Sequence, residues 1–154
     1  MTRIDFYLLT SPGRDGALPA AVRLCDKARS SGKAVYVHCA DLAQLNALDD
    51  LLWTQRQGSF IAHERNEGRG LSAPLPQVLI GFDHQPPDGW QDVLINLDVA
   101  VPPFFSSFER LCELVGSDEN SRAQCRLRYK FYRDRGYELK TLEQTPEGGW
   151  QAKT

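Results

Sequence analysis

Alternation of short apolar runs with helix-period segments predicts an α/β protein: a three-layer sandwich with a largely parallel central sheet and helices on both faces. Three observations carry this. The runs RIDFYLL (3–9), KAVYVHC (33–39), VLIGF (78–82) and DVLINLD (92–98) are apolar almost throughout, as strands covered on both sides are. Segments with apolar residues at i, i+3 and i+4 follow the first two of them. No repeat, linker or low-complexity block interrupts the 154 residues, so the chain reads as one domain over 1–144 with a fraying tail over 145–154.

The elements follow in order. After the strand 3–9 and the loop TSPGRDG comes LPAAVRLCDKARSSG, with Leu18, Ala21, Val22, Cys25 and Ala28 on one helical face and Gly32 as its stop. The strand 33–39 leads into a helix over 41–55, where Leu45, Leu48, Leu52 and Trp53 share a face and Asp41 serves as cap. The acids on its other side, Asp49 and Asp50 with Asp41, read as a solvated face. GSFIAHE (58–64) reads as a short strand and 65–77 as an exposed loop. Strands 78–82 and 92–98 flank the turn-rich DHQPPDGW. PPFFSSFERLCELV reads as a helix after a double proline, SDENSRAQCRLRYKFYRDRG as the last helix, and YELKTLEQ (137–144) as a final strand.

A 42% hydrophobic, 25% charged composition is that of a globular domain, and a chain of this length buries enough surface to fold without staples. The net charge of −2 excludes a surface basic all over, so any nucleic-acid-like patch must be local. No apolar run reaches the roughly 18 residues that span a bilayer. The start MTRIDFYLLTSPG lacks a signal-peptide core, which predicts a cytosolic protein without membrane attachment. Cys25, Cys39, Cys112 and Cys125 lack paired spacing and read as buried thiols, and His38, His63 and His84 show no ligand spacing with them, so neither disulfide nor metal is expected.

The chemistry of catalysis is missing. TSPGRDGALPA occupies the place of a phosphate loop, yet Gly13 and Gly16 fit neither phosphate-loop pattern, and Pro12 and Pro19 remove backbone donors. EGRGLSAP (67–74) has no helix after it. No serine sits in a nucleophile-elbow pattern. His38 and Cys39 are adjacent in a strand and point to opposite faces, so they form no dyad. HERNEGR is a weak ligand set. No cofactor is expected, and the balance moves toward a binding module.

The exception is RLRYKFYRDRGYELK (126–140). On a helix, Arg122, Arg126, Tyr129 or Lys130, and Arg133 share one face, while Ala123, Leu127 and Phe131 share the adjacent one, expected to pack on the sheet. A solvated, snorkelling face is one reading of the basic stripe. Nucleic-acid phosphates, unstacked bases and an acidic peptide are its alternative ligands. Its shortness, and the nearby Val115, suit a compact ligand with one hydrophobic anchor and a few negative charges.

FYLL (6–9), GKAVYVHCAD with LDDLLWTQRQGSFIAHE, DVLINL, FFSSFERLCELV and RYKFYRDRGYELK together form an ordered set that resembles the chi subunit family of bacterial DNA polymerase III. The likeness does not extend to 65–76 or past Leu142. It implies an α/β fold similar to mononucleotide-binding folds but without a nucleotide site. It also implies a non-catalytic accessory subunit of the polymerase complex. Two partners are implied: the psi subunit of the clamp loader, and the acidic, phenylalanine-terminated tail of single-stranded-DNA-binding protein, with DNA contacted indirectly. Carried over, the tail pocket comprises Val115, Arg126, Tyr129 and Lys130, with Arg122, Arg128 and Arg133 as secondary cations, and the psi surface includes Phe60 and Trp53. A mononucleotide-binding enzyme with a degenerate phosphate loop, or direct nucleic-acid binding by the last helix, are the alternatives.

Overall fold

The computed structural model describes residues 1–13, 15–54, 61–68, 76–88 and 91–153. In chain order these form β1 (Arg3–Leu8), α1 (Leu18–Ser30), β2 (Val35–His38), α2 (Leu42–Thr54), β3 (His63–Arg65), β4 (Val78–Gly81), β5 (Val93–Asn96), β6 (Arg110–Val115), α3 (Glu119–Asp134), β7 (Glu138–Gln144) and β8 (Trp150–Ala152), with 3-10 turns at Asp15–Ala17 and Phe105–Ser107. The strands make one sheet in the order β3-β4-β2-β5-β6-β1-β7-β8. Every pairing is parallel except β7 with β8. The predicted α/β architecture stands.

Strand alternation divides the core. Tyr7, Val35, Val37, Val78, Ile80, Ile95, Cys112 and Leu114 pack under α1 and α2. Ile4, Phe6, Leu8, Tyr36, Leu79, Leu94, Leu111 and Val115 point to the other face, where α3 contributes Cys125 and Tyr132. The strands β2, β4 and β5 are buried at every position, which is why they read as continuous apolar runs. Helix ends follow local chemistry. The Asp41 carboxylate accepts from the Gln44 N–H at 2.9 Å to cap α2. Gly32 and Gly136, at φ of +76° and +82°, end α1 and α3 in a conformation that side chains resist.

Three expectations change. First, 104–115 is not a helix: a 3-10 turn at Phe105–Ser107 leads into strand β6. Leu111 and Val115 face α3 while Cys112 and Leu114 face α1 and α2, so the segment needs two-sided burial that a helix with one apolar stripe would not give. Second, residues 150–152 of the segment set apart as a tail pair with β7, and the Trp150 ring meets Tyr7 edge-on at 4.9 Å. Third, α3 is rotated from the expected orientation. Its buried residues are Cys125, Arg128 and Tyr132, and Leu127 is 65% exposed.

That rotation puts Arg128 inside. Glu113 of β6 is fully buried; its Oε1 accepts from Arg128 Nε at 3.1 Å and from Asn96 Nδ2 at 2.9 Å, and its Oε2 accepts from the Tyr132 hydroxyl at 2.6 Å. Arg128 Nη1 also donates to the Val99 carbonyl at 2.8 Å. Burial pushes the Glu113 carboxyl up, and the Arg128 charge and the hydrogen bonds of Tyr132 and Asn96 oppose that push. Arg128 is therefore a structural cation and not one of the exposed secondary cations.

Removing it strands a buried carboxylate. Arg128→Ala is expected to lose about 3–5 kcal/mol of stability in urea denaturation. Adding Glu113→Gln to that variant should restore part of the loss, because a neutral amide needs no counter-ion.

Candidate functional site

The position where an open α/β sheet holds a ligand is the crevice beyond adjacent strands whose following helices go to opposite faces. Here those strands are β1 and β6, and the crevice is closed by the chain itself. Asp118 caps α3 by accepting from the Ser121 N–H at 3.1 Å, and its other oxygen takes the Gly13 N–H at 2.7 Å. The Ser117 N–H donates to the Ser11 carbonyl at 3.0 Å. Arg122 donates to the Gly116 and Leu9 carbonyls at 2.9 and 3.0 Å. At Gly116 a Cβ would lie 3.0 Å from both N and O of Gly13, so the two loops approach as closely as backbone allows. Among the described residues, these loop donors and carbonyls pair with each other across the crevice.

The open feature lies beside it, on the α3 face. The helix α3 covers only part of that side of the sheet, and between it and the β7–β8 hairpin runs a groove of about 760 Å³. Phe6 and Leu8 of β1 and Thr141 of β7 are on its floor side; Arg122, Cys125, Arg126, Tyr129, Lys130 and Arg133 line it from the helix, and Lys153 from the hairpin. The Tyr129 ring leans on Phe6 with centroids 5.3 Å apart, which fixes an aromatic wall over the apolar floor. Glu119 is the carboxylate among the lining residues. A groove with an apolar base and cations along its walls suits an anionic chain carrying an apolar group.

The cations are held by exposed acids. Arg126 pairs with Glu119 at 2.9 Å, Lys130 with Asp134 at 2.7 Å, and Lys153 with Glu143 at 3.6 Å. Such pairs are screened by water and exchange readily for a better anion. Lys130 and Arg133 hold the Asp134 carboxyl below its ordinary range, chiefly through the Lys130 hydrogen bond.

Of the predicted tail-pocket residues, the groove brings together Arg126, Tyr129 and Lys130, with Arg122 and Arg133 beside them. Arg122 is half committed to carbonyls and stiffened by them. Val115 is 1% exposed and packs in the core under α3, away from the groove surface. Arg128 points to Glu113, as described. The residues that sequence reasoning missed are Phe6, Leu8, Thr141 and Lys153. The first two sit at alternate positions of β1 and could have been assigned to the α3 face; Thr141 and Lys153 join the site only through strand register.

On the far side of the sheet, Trp53 of α2 is 56% exposed and stands against the His63 ring at 5.6 Å. Asp49, expected on a solvated face, bonds instead to His63 Nε2 and takes Nε and Nη2 of Arg65 at 2.9 and 2.8 Å. Burial works to raise the Asp49 carboxyl, yet the His63 and Arg65 hydrogen bonds hold it below its ordinary value. This network ties β3 to α2 under Trp53. Phe60 lies outside the described residues.

The family model described as "DNA polymerase III chi subunit, HolC" matches residues 1–140. The chain belongs to the DNA polymerase III chi subunit family. Among curated chi proteins, the DNA polymerase III subunit chi of Pseudomonas aeruginosa strain PAO1 is 41% identical over 139 residues, covering 90% of this chain and 94% of that protein. The subunit chi of Escherichia coli K12 is 32% identical over 146 residues, covering 92% and 97%. That of Haemophilus influenzae strain Rd is 31% identical over 137 residues, covering 89% and 94%. The matched span of the chi model takes in β1, all of α3 and the first half of β7, and stops before β8.

Loop closure at the crevice has a pH signature. The Gly13 N–H, then the Ser121 hydroxyl and N–H, hold the Asp118 carboxyl down to about 2. A depressed folded-state value means that this contribution is present above the ordinary aspartate range and is lost as pH falls toward about 2. Asp118→Asn is expected to lower the melting temperature near neutrality and to flatten its decline between roughly pH 4 and 2, relative to the wild type. Thermal melts across that range check it.

Proposed function

We propose that this chi-family chain is a non-catalytic accessory subunit of the DNA polymerase III holoenzyme. In this reading it links the clamp-loader complex, through psi, to the acidic C-terminal tail of single-stranded-DNA-binding protein, in the cytoplasm at the replication fork. The observation that carries the proposal is the groove beside α3: an apolar floor with an aromatic wall, bordered by exposed cations on a protein of net charge −2. A peptide that ends in phenylalanine with a free carboxylate, preceded by acids, has the matching pattern. Its ring lies against Tyr129, which Phe6 supports from below, its terminal carboxylate meets Arg126, and its upstream acids meet Lys130 and Arg133. The hydrogen bonds that Asp118, Ser117 and Arg122 make across the crevice between β1 and β6 support a role without nucleotide chemistry.

The reading places psi elsewhere, around the exposed Trp53 and the neighbouring segment that contains Phe60. Large aromatics that are exposed in the free protein and anchored from below serve as interface anchors. Here the Asp49–His63–Arg65 network supplies the anchoring. Two separate surfaces on opposite faces of one sheet allow both partners at once, which a bridging subunit requires.

Arg126 is 65% exposed, so its loss leaves no deeply buried charge in the free protein. Arg126→Ala is expected to weaken an acidic, Phe-ending peptide by about 2 kcal/mol, roughly 30-fold. Amidating the peptide's terminal carboxylate should weaken wild-type binding similarly and cost little more in the Arg126 variant, since both changes remove one interaction. Calorimetric titration of the four combinations tests this; strictly additive losses would show that Arg126 does not meet the carboxylate.

For the second surface, Trp53→Ala should reduce capture of psi by more than roughly tenfold while leaving tail-peptide affinity and the melting temperature near wild type. Pull-down with purified psi, run beside the peptide titration, separates the two outcomes.

A further inference from the structure

The groove has two banks, and only one of them belongs to the helix. Phe6 pairs with Thr141 across the β1–β7 register, and the Lys153 N–H donates to the Thr141 carbonyl at 2.9 Å. Phe6, Thr141 and Lys153 therefore stand at one level, and Phe6 is also the residue on which Tyr129 leans. The Leu142–Ala152 pairing sends Trp150 and Ala152 to the α1/α2 side, and alternation returns Lys153 to the α3 side. Lys153 thus faces Tyr129 and Lys130 across the apolar floor. Its side chain is 52% exposed, and its ammonium group lies 3.6 Å from the carboxylate of Glu143, the neighbour on β7.

We infer that the β7–β8 hairpin is the second wall of the peptide groove and that Lys153 is a specificity-determining cation for the acidic stretch of the ligand, with Glu143 as its resident competitor. This rests on the tail-binding reading above and goes beyond the helix-borne residues of that reading. An extended acidic chain on the floor is then flanked by cations from both sides, at Lys130 and at Lys153. A cation on each bank lets acids on both sides of an extended chain be met. Glu143 neutralises Lys153 in the free protein and must be outcompeted on binding. Removing Glu143 therefore strengthens the site, and the gain depends on Lys153 only if the acid acts through that cation.

The test is a calorimetric titration of the full chain with a synthetic acidic peptide ending in phenylalanine with a free carboxylate, at low and at moderate salt. Lys153→Gln is expected to weaken binding roughly two- to fivefold at low salt, and less at moderate salt. Glu143→Gln should tighten it by a similar factor, and the double variant should show little of that gain, because the acid acts through Lys153. Both side chains are about half exposed and the Lys153 backbone bond to Thr141 is retained, so the variants keep the fold. Unchanged affinity in Lys153→Gln, or an equal gain from Glu143→Gln with and without Lys153, overturns the inference while Arg126-dependent binding upholds the tail reading. A wild-type chain that fails to bind the peptide overturns both.

Discussion

The Glu113 carboxylate is the constraint on which the α3 face of the molecule depends. A fully buried acid in the middle of a central strand is tolerated only if its lone pairs and its charge are met. Three side chains do this, two of them from α3 at positions 128 and 132 and one from Asn96 at the end of β5. Because 128 and 132 are one helical turn apart, satisfying both oxygens fixes the rotation of α3 about its axis as well as its position over β6. The aromatic residues around it, Phe105 at 5.2 Å from Tyr132 and Tyr137 at 5.1 Å from Phe105, then fill the space on one flank of the helix.

Once that rotation is set, the distribution of the remaining basic residues follows. With Arg128 turned inward, residues 122, 126, 130 and 133 lie on the side of α3 that borders the groove. The same turn leaves Leu127 in solvent on the other flank. A helix of alternating cations and aromatics thus carries two separable tasks. Arg128 and Tyr132 clamp a buried acid, whereas Arg126, Tyr129, Lys130 and Arg133 present a surface. The first set holds the buried Glu113, and the second set borders the groove.

The crevice and the groove also show how one scaffold separates fold from function. The sheet has the topology in which a mononucleotide would sit beyond β1 and β6, yet Asp118, Gly13 and Arg122 occupy the donors and acceptors there. Beside that crevice, α3 and the β7–β8 hairpin border an open groove.

Several of these features were legible in the order of residues alone. The strands β2, β4 and β5 announce themselves because burial on both faces demands an unbroken apolar run, and the capping residues Asp41, Gly32 and Gly136 act through local backbone geometry. The resemblance to the chi family likewise rests on ordered local segments, and the family model bears it out over residues 1–140. What the tertiary structure alone decided are matters of which side chain meets which across the chain. The segment 110–115 carries apolar residues at spacings that satisfy a helix and a strand equally, and nothing local in it shows that its one acid is buried against Arg128. Arg128 has the same local surroundings as Arg126, and only the demand of Glu113 makes one structural and leaves the other exposed. Lys153 reaches the groove through a strand register that joins positions 141 and 153, whereas Val115, on the same face of the sheet as Phe6 and Leu8, is buried and is not among the residues that line the groove. Local propensity specifies elements through near neighbours, but the roles of these residues are set by long-range pairing and by the cost of burying charge.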